Sequence, residues 1–403
     1  MGRWNDARMR LHVRMSRRDP TQLHRASTAL ELFFDLTFVV AVSQAASGLE
    51  RGLTSGSPGN ALITYALVFF AIWWAWMNFT WFASAYDTDD IGYRLAVLTQ
   101  MTGVLILAAG IARAMDGWNF RVIAAGYVVM RFAMVALWLR AAAADTEGRP
   151  SALRYAVGIT VVQLCWLGWL ALPQSFGLPA FFVLVAGELA VPLWAEAAGR
   201  TPWHPGHIAE RYGLFTIIVL GETLLATSVG VQAILDTHAF RTVAFTVTGG
   251  LLIVFSMWWM YFDLPSERIV SHVREAFADR LHGAFVWGYG HYFVFASVAA
   301  TGAGLIVALD RVAHGGHLTG VEAGLCVTVP VAVYVLVVWG LHAPYKRPGP
   351  MRSFAAPVGV VLILAASVTG SPVLATGVLL VALVAANIVA NRSQLDSVRH
   401  EPA

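Results

Sequence analysis

The sequence predicts an all-α polytopic membrane protein with about twelve transmembrane helices, arranged as two parallel six-helix repeats. Three observations lead there. Of the 403 residues, 58 % are hydrophobic and only 13 % are charged, against roughly 25 % charged in soluble domains. Apolar runs of about 20 residues, the length that carries a helix across a bilayer, recur along the chain. The basic residues fall mostly on alternate sides of those runs, as the positive-inside bias requires. Backbone groups in hydrocarbon must be satisfied within a helix or a closed barrel, and runs this uniformly apolar lack the alternation of barrel strands.

Charge, glycine and proline bound each run. The first, 28–48, lies between Arg25 and Arg51, and the second, 60–84, between Pro58 and Asp87. The third, 92–114, follows three aspartates and stops before Asp116. The fourth, 118–142, ends before Asp145. Pro150 and Pro173 bracket 152–172, and Gly177 and Arg200 bracket 177–197. In the second half, 209–232 follows Pro205 and ends before Asp236, and 239–262 ends at Asp263. The run 280–305 starts at Arg280 and stops short of Asp310, and 318–342 lies between Gly316 and Pro344. Arg352 precedes 353–370, and Pro372 opens 372–391, which Arg392 closes. This divides the chain into a basic N-terminal arm (1–27), two six-helix halves (28–200 and 201–391) and a short tail (392–403).

With both termini in the cytoplasm, 21 of the 27 Lys and Arg residues fall inside. Arg51, Arg113, Arg121, Arg241 and Arg311 fall outside, and Arg131 falls within a helix. That asymmetry sets the orientation and an even helix number. The arm "MGRWNDARMRLHVRMSRRD" is read as a topology determinant, not as a nucleic-acid contact or a cleavable signal. Cys165 and Cys326 have no metal or redox spacing. The halves also align with each other. "ALELFFDLTFVVAV" over "IAERYGLFTIIVLG" sets Glu31 over Glu210 and Thr37 over Thr216. Paired tryptophans (Trp73–Trp74, Trp258–Trp259) and then an aspartate (Asp87, Asp263) follow in both.

A charge inside a bilayer costs about 3 kcal/mol on insertion scales, so such residues face the bundle interior and mark candidate sites. Glu31 and Asp35, at i and i+4, share one helix face, and at that separation one of them is expected to hold a proton. Arg131 and Arg211 are candidate counter-ions. Glu222 and Glu188 each follow a glycine at membrane depth, and His291 is a candidate proton relay. Asp87, Asp89, Asp90 and Arg94 sit at a helix entrance, where helix capping with an Asp90–Arg94 pair and cation collection are both open. His204, His207 and Glu210, next to Arg211, form a helix start rather than a metal site. Walker, GxGxxG, HExxH and nucleophile-elbow motifs are absent from the sequence, so neither an enzyme nor a cofactor is expected.

Several stretches resemble the bacterial low temperature requirement A family. They are "ELFFDLTFVVAVSQ" (31–44), "WWAWMNFTWFASAYDTDD" (73–90), "WHPGHIAERYGLFTIIVLGE" (203–222), "WWMYFD" (258–263) and "WGYGH" (287–291). The resemblance implies an integral inner-membrane protein needed for growth in the cold, a stress-related role, and leaves substrate and mechanism open. Its signature falls on Glu31, Asp35, Asp87, Asp89, Asp90, Arg94, His204, His207, Glu210, Arg211, Glu222 and His291.

The favoured expectation is a secondary transporter or proton- or cation-coupled permease. Glu31, Asp35, Arg131, Glu222 and His291 line its ion pathway, and Asp87 to Arg94 with His204 to Arg211 form its cytoplasmic mouth. A cation channel of two six-helix repeats is one alternative. A membrane-embedded enzyme, a lipid-handling protein or a stress-related scaffold is another. Expected partners are the lipid bilayer and a small solute or ion, with self-association open and no nucleic acid.

Overall fold

The computed structural model describes residues 13–19, 22, 25–236, 240–263, 281–315, 318–343 and 350–399. Among them it is all-helical, with twelve α-helices and no strand. In chain order these are α1 (Ala29–Thr54), α2 (Pro58–Ala85), α3 (Ile91–Gly117), α4 (Arg121–Ala144), α5 (Arg149–Trp169) and α6 (Gln174–Glu196). They continue with α7 (Pro205–Asp236), α8 (Phe240–Phe262), α9 (Leu281–His314), α10 (Gly320–His342), α11 (Pro350–Ala365) and α12 (Pro372–Arg399). Among the described residues ten helices are long and apolar enough to span a bilayer. The observed α1 and α9 run past their predicted ends at 48 and 305, because their last turns remain helical through Arg51 and Arg311. Basic side chains there complement the partial negative charge of a helix C-terminus.

The chain forms two compact units. One holds residues 1–45 and 67–211, the other 46–66 and 212–403. In the first, α3 packs on α4, α4 on α5 and α5 on α6. The α3–α4 contact brings backbones together: a Cβ at Gly126 would stand 2.5 Å from the Gly103 oxygen, and one at Gly103 would stand 2.7 Å from the Gly126 oxygen. Without a hydrophobic driving force inside lipid, such close approach gains the dispersion energy that holds helices together. In the second unit α9 packs on α10, and α8 on α12. There Gly304 lies against the Cys326 carbonyl and Gly249 against Leu374.

The core of the first unit is aromatic. Phe34, Phe38, Trp73, Trp74, Trp76 and Phe79 are all fully or almost fully buried. Phe34 and Phe79 have ring centroids 4.2 Å apart, fixing α1 to α2. That contact sets the depth at which the charged residues of α1 face α2.

Replacing Gly126 with valine is expected to destabilise the protein by about 1–3 kcal/mol through overpacking. Gly168→Ala, where a Cβ meets nothing within 4 Å, serves as the control. Thermal unfolding of both variants in detergent checks the difference, and equal midpoints would contradict the close contact.

Candidate functional site

The site grows from three helix ends in the first unit: the start of α1, the final turns of α2 and the start of α7. Thr28 and Glu31 form a reciprocal cap on α1. The Thr28 N–H donates to Glu31 Oε2 at 2.7 Å and the Glu31 N–H to Thr28 Oγ1 at 3.2 Å. Glu31 is therefore a capping-box residue at the helix entrance. Its other oxygen faces inward, 3.2 Å from both Arg211 Nη1 and His207 Nε2 and 4.0 Å from Arg25 Nη2.

One turn deeper, Asp35 Oδ1 accepts from Arg211 Nη2 and, at 2.7 Å, from the Trp76 indole. Arg211 Nη2 also reaches Thr80 Oγ1 at 3.5 Å. Asp35 and Arg211 are wholly buried. Asp35 Oδ2 has no hydrogen-bond partner among the described residues, although the whole carboxylate is out of solvent. A buried polar atom left unpaired costs about 1–3 kcal/mol, more if charged, and so calls for a reason.

Arg25 lies in the lead-in to α1 and caps α2. Its guanidinium donates to the carbonyls of Ser84 at 2.5 Å and Ala83 at 2.7 Å, the last turn of that helix. It also stands 3.7 Å from Asp87, which Arg18 engages directly. Burial pushes the Asp87 carboxyl above its ordinary range despite both arginines. Three arginines (Arg18, Arg25, Arg211) thus meet three carboxylates (Glu31, Asp35, Asp87). The expected proton on the Glu31–Asp35 pair is not needed for charge balance, because Arg25 supplies a second counter-ion.

The start of α7 is built by its histidines. The His204 ring Nδ1 accepts from the His207 backbone N–H at 3.1 Å, capping the helix, while Nε2 lies 2.6 Å from the Gln22 carbonyl. The cap fixes His204 as the Nε2–H tautomer. Glu210 accepts from the Ser27 N–H at 3.2 Å. No group of three His, Cys, Asp or Glu side chains placed to hold a metal ion occurs among the described residues.

The aspartate entrance differs from the expected pairing. Asp90 caps α3, accepting from the Tyr93 N–H at 2.8 Å, and is held by Arg140 of α4 and by the Val13 N–H at 2.6 Å. Arg94 instead pairs with Asp89 at 2.8 Å. The cap turns the Asp90 carboxylate inward, away from its i+4 neighbour. Burial alone would raise the Asp90 pKa, but bonds from Arg140, Tyr93 and Val13 overcome it and hold the group below its ordinary value. Each of Asp87, Asp89 and Asp90 is engaged by an arginine.

Arg131 and Glu188 form a separate buried pair at 3.0 Å, with the Trp74 and Trp166 indoles also donating to Glu188 at 2.8 and 3.1 Å. In the second unit, Glu222 is half-buried with no hydrogen bond or ion pair among the described residues. His291 there is satisfied on both ring nitrogens, by the Trp287 carbonyl at 2.7 Å and Tyr261 Oη at 2.9 Å.

Residues 26–390, nearly the whole chain and all of this site except Arg18, Gln22, Arg25 and Val13, match the family described as bacterial low temperature requirement A protein (LtrA). The chain belongs to the LtrA family. It is also 28 % identical over 306 residues to an uncharacterized protein of Rhizobium meliloti (strain 1021), covering 73 % of this chain and 72 % of that one. No solved structure matches it.

Among the contributors to this site that sequence reasoning missed are Arg18, Arg25, Thr28, Trp76 and Arg140. The T-x-x-E spacing of Thr28 and Glu31 is a readable capping signal. The partners of Arg25, Trp76 and Arg140 are distant in sequence and carry no local signature. Arg14, Arg17 and Arg18 of the basic arm also have defined partners, in Ala144, Glu147 and Asp87.

Because folding lowers the Asp90 pKa, its contribution is complete above the ordinary 3.8 and fades as pH falls through the folded value. Asp90→Asn keeps a capping side chain but removes the charge that Arg140 pairs with, and is expected to cost about 1.5–3 kcal/mol at neutral pH, the scale of a hydrogen bond to a charged group. The gap from wild type should narrow between pH 5 and pH 3. Unfolding midpoints across that range check it, and a gap that widens on acidification would contradict the assignment.

Proposed function

We propose that this chain is a secondary transporter of the bacterial inner membrane, with both termini cytoplasmic, in which a proton or small cation is coupled to movement of an unidentified solute. The observation that carries the reading is Asp35 Oδ2, a fully buried carboxylate oxygen without a partner beside an arginine that two acids share. Buried ion pairs add little stability over apolar packing, so a membrane helix gains little structurally from keeping both acids. A proton arriving at Oδ2 neutralises Asp35 and weakens its hold on Arg211. Arg211 then turns fully to Glu31, already 3.2 Å away. That partner change moves the start of α7 against α1, which is the motion a gate at this end requires. Glu222 and His291, in the second unit, are the proton- or cation-carrying candidates of that unit in this reading. Arg131, neutralising Glu188, keeps a second charge inside the bundle. The two halves act as parallel six-helix repeats, and the cold-growth phenotype of the family name would follow from a lost solute gradient.

A second reading rests on the three-to-three charge balance of Arg18, Arg25 and Arg211 with Glu31, Asp35 and Asp87. In it the network is a fixed lock on the ends of α1, α2 and α7. Proton and potassium flux in liposomes holding the purified protein separates the two. Asp35→Asn and Glu222→Gln are each expected to reduce flux at least tenfold while remaining monodisperse. Wild-type flux untouched by either substitution would overturn the transport route. A wild type without flux, combined with an Asp35→Asn variant that loses stability, would establish the lock.

A further inference from the structure

Between α2, α4, α5 and α6 lies a slot that none of the charged network uses. The space in it and in front of its open mouth comes to about 500 Å³, of which about 50 Å³ is cavity proper. Six aromatic rings form most of its wall: Phe70, Trp74, Tyr127, Trp166, Trp169 and Phe181. Glu188 and Gln163 are its polar residues other than those ring groups.

The hydrogen bonds of the lining are nearly all committed. The indoles of Trp74 and Trp166 donate to Glu188. The Trp169 indole donates to the Gly177 carbonyl at 2.8 Å, and the Tyr127 hydroxyl to the Ala71 carbonyl at 2.5 Å. Glu188 is neutralised by Arg131, whose guanidinium also lies 5.2 Å from the centre of the Tyr127 ring. The exception is Gln163. The residue is 7 % exposed, and neither its amide nitrogen nor its amide oxygen has a partner among the described residues. A buried primary amide offers donors and an acceptor, and both are left open here.

We propose that this slot binds a small, flat, uncharged molecule: an aromatic or cyclic lipophile bearing a hydroxyl or carbonyl group that pairs with Gln163. Charge decides against an ion. The Arg131–Glu188 pair sums to zero, so a charged ligand would be buried without a counter-ion. The walls decide for a ring, since aromatic side chains gain from offset and edge-on contacts with another π-system. A narrow apolar cavity with one precisely placed polar group is the usual form of a small-molecule site. A second cavity, lined by Asn119 and Arg121, borders the slot, with Phe120 and Trp169 lining both. The site does not depend on the transport reading, because occupancy is measured without flux.

The test is equilibrium dialysis of the purified full chain in detergent against empty micelles, with three probes of one ring system: 2-naphthol, naphthalene and 2-naphthoate. Saturable binding of one 2-naphthol per chain is expected, about tenfold tighter than naphthalene, as one or two hydrogen bonds provide. It should also be at least tenfold tighter than 2-naphthoate. Gln163→Leu should erase the preference for 2-naphthol over naphthalene while retaining the binding of both. It deletes an unpartnered amide, so no fold contact is lost with it. Ala124→Trp, which fills the slot, should abolish saturable binding. Equal affinity for 2-naphthol and naphthalene in the wild type, or a preference unmoved by Gln163→Leu, would overturn the proposal. So would displacement of 2-naphthol by added phosphatidylglycerol, which would make an acyl chain the occupant.

Discussion

Arg211 is the residue around which the first unit is organised. It stands at the start of α7 and meets Asp35 and Glu31 on α1 while reaching Thr80 on α2. In an apolar medium charge has to be neutralised where it stands, because no solvent can come to it. That constraint fixes three helix ends against one another more sharply than apolar packing, which tolerates sliding. Trp76 on Asp35 and the Thr28–Glu31 cap then set the rotation of α1. The aromatic layer of Phe34, Phe38 and Phe79 fills what is left.

The same constraint explains the arm before α1. Arg25 satisfies carbonyls at the end of α2 that the helix itself cannot, and it lends its charge to Glu31 and Asp87 in the same place. One guanidinium thus does the work of a C-cap and a counter-ion, which its planar set of five donors permits and an ammonium would not. A basic segment that serves topology during insertion is reused as structure afterwards.

How much of this is legible in sequence depends on distance along the chain. The helices are legible because each is a local run with local punctuation: twelve stand among the described residues, ten of them long and apolar enough to span, with ends such as Thr54 and His314 lying further out than predicted. The residues of the site are legible as types, since acids and an arginine at membrane depth stand out against an apolar background. Their partners are not. Asp90 goes to Arg140 rather than to Arg94, because its duty as a helix cap turns it inward. Arg25 goes to α2, across more than fifty residues, and nothing near it signals that. Gln163 and Trp166 look like ordinary members of an apolar helix, and only the structure brings them to one cavity.

The Asp35–Arg211 bond joins residues 176 positions apart, and this has a consequence for biogenesis. Arg25 precedes α1 and emerges from the ribosome with it, so Glu31 can be neutralised as soon as that helix enters the membrane. Asp35 has to wait until six helices have been made and a seventh has begun. During that interval α1 carries near its start an aspartate without its arginine, at a cost below the roughly 3 kcal/mol that insertion scales give for the centre of a helix. The nascent chain is therefore held to a late-closing order of assembly, in which α1 settles only when α7 arrives.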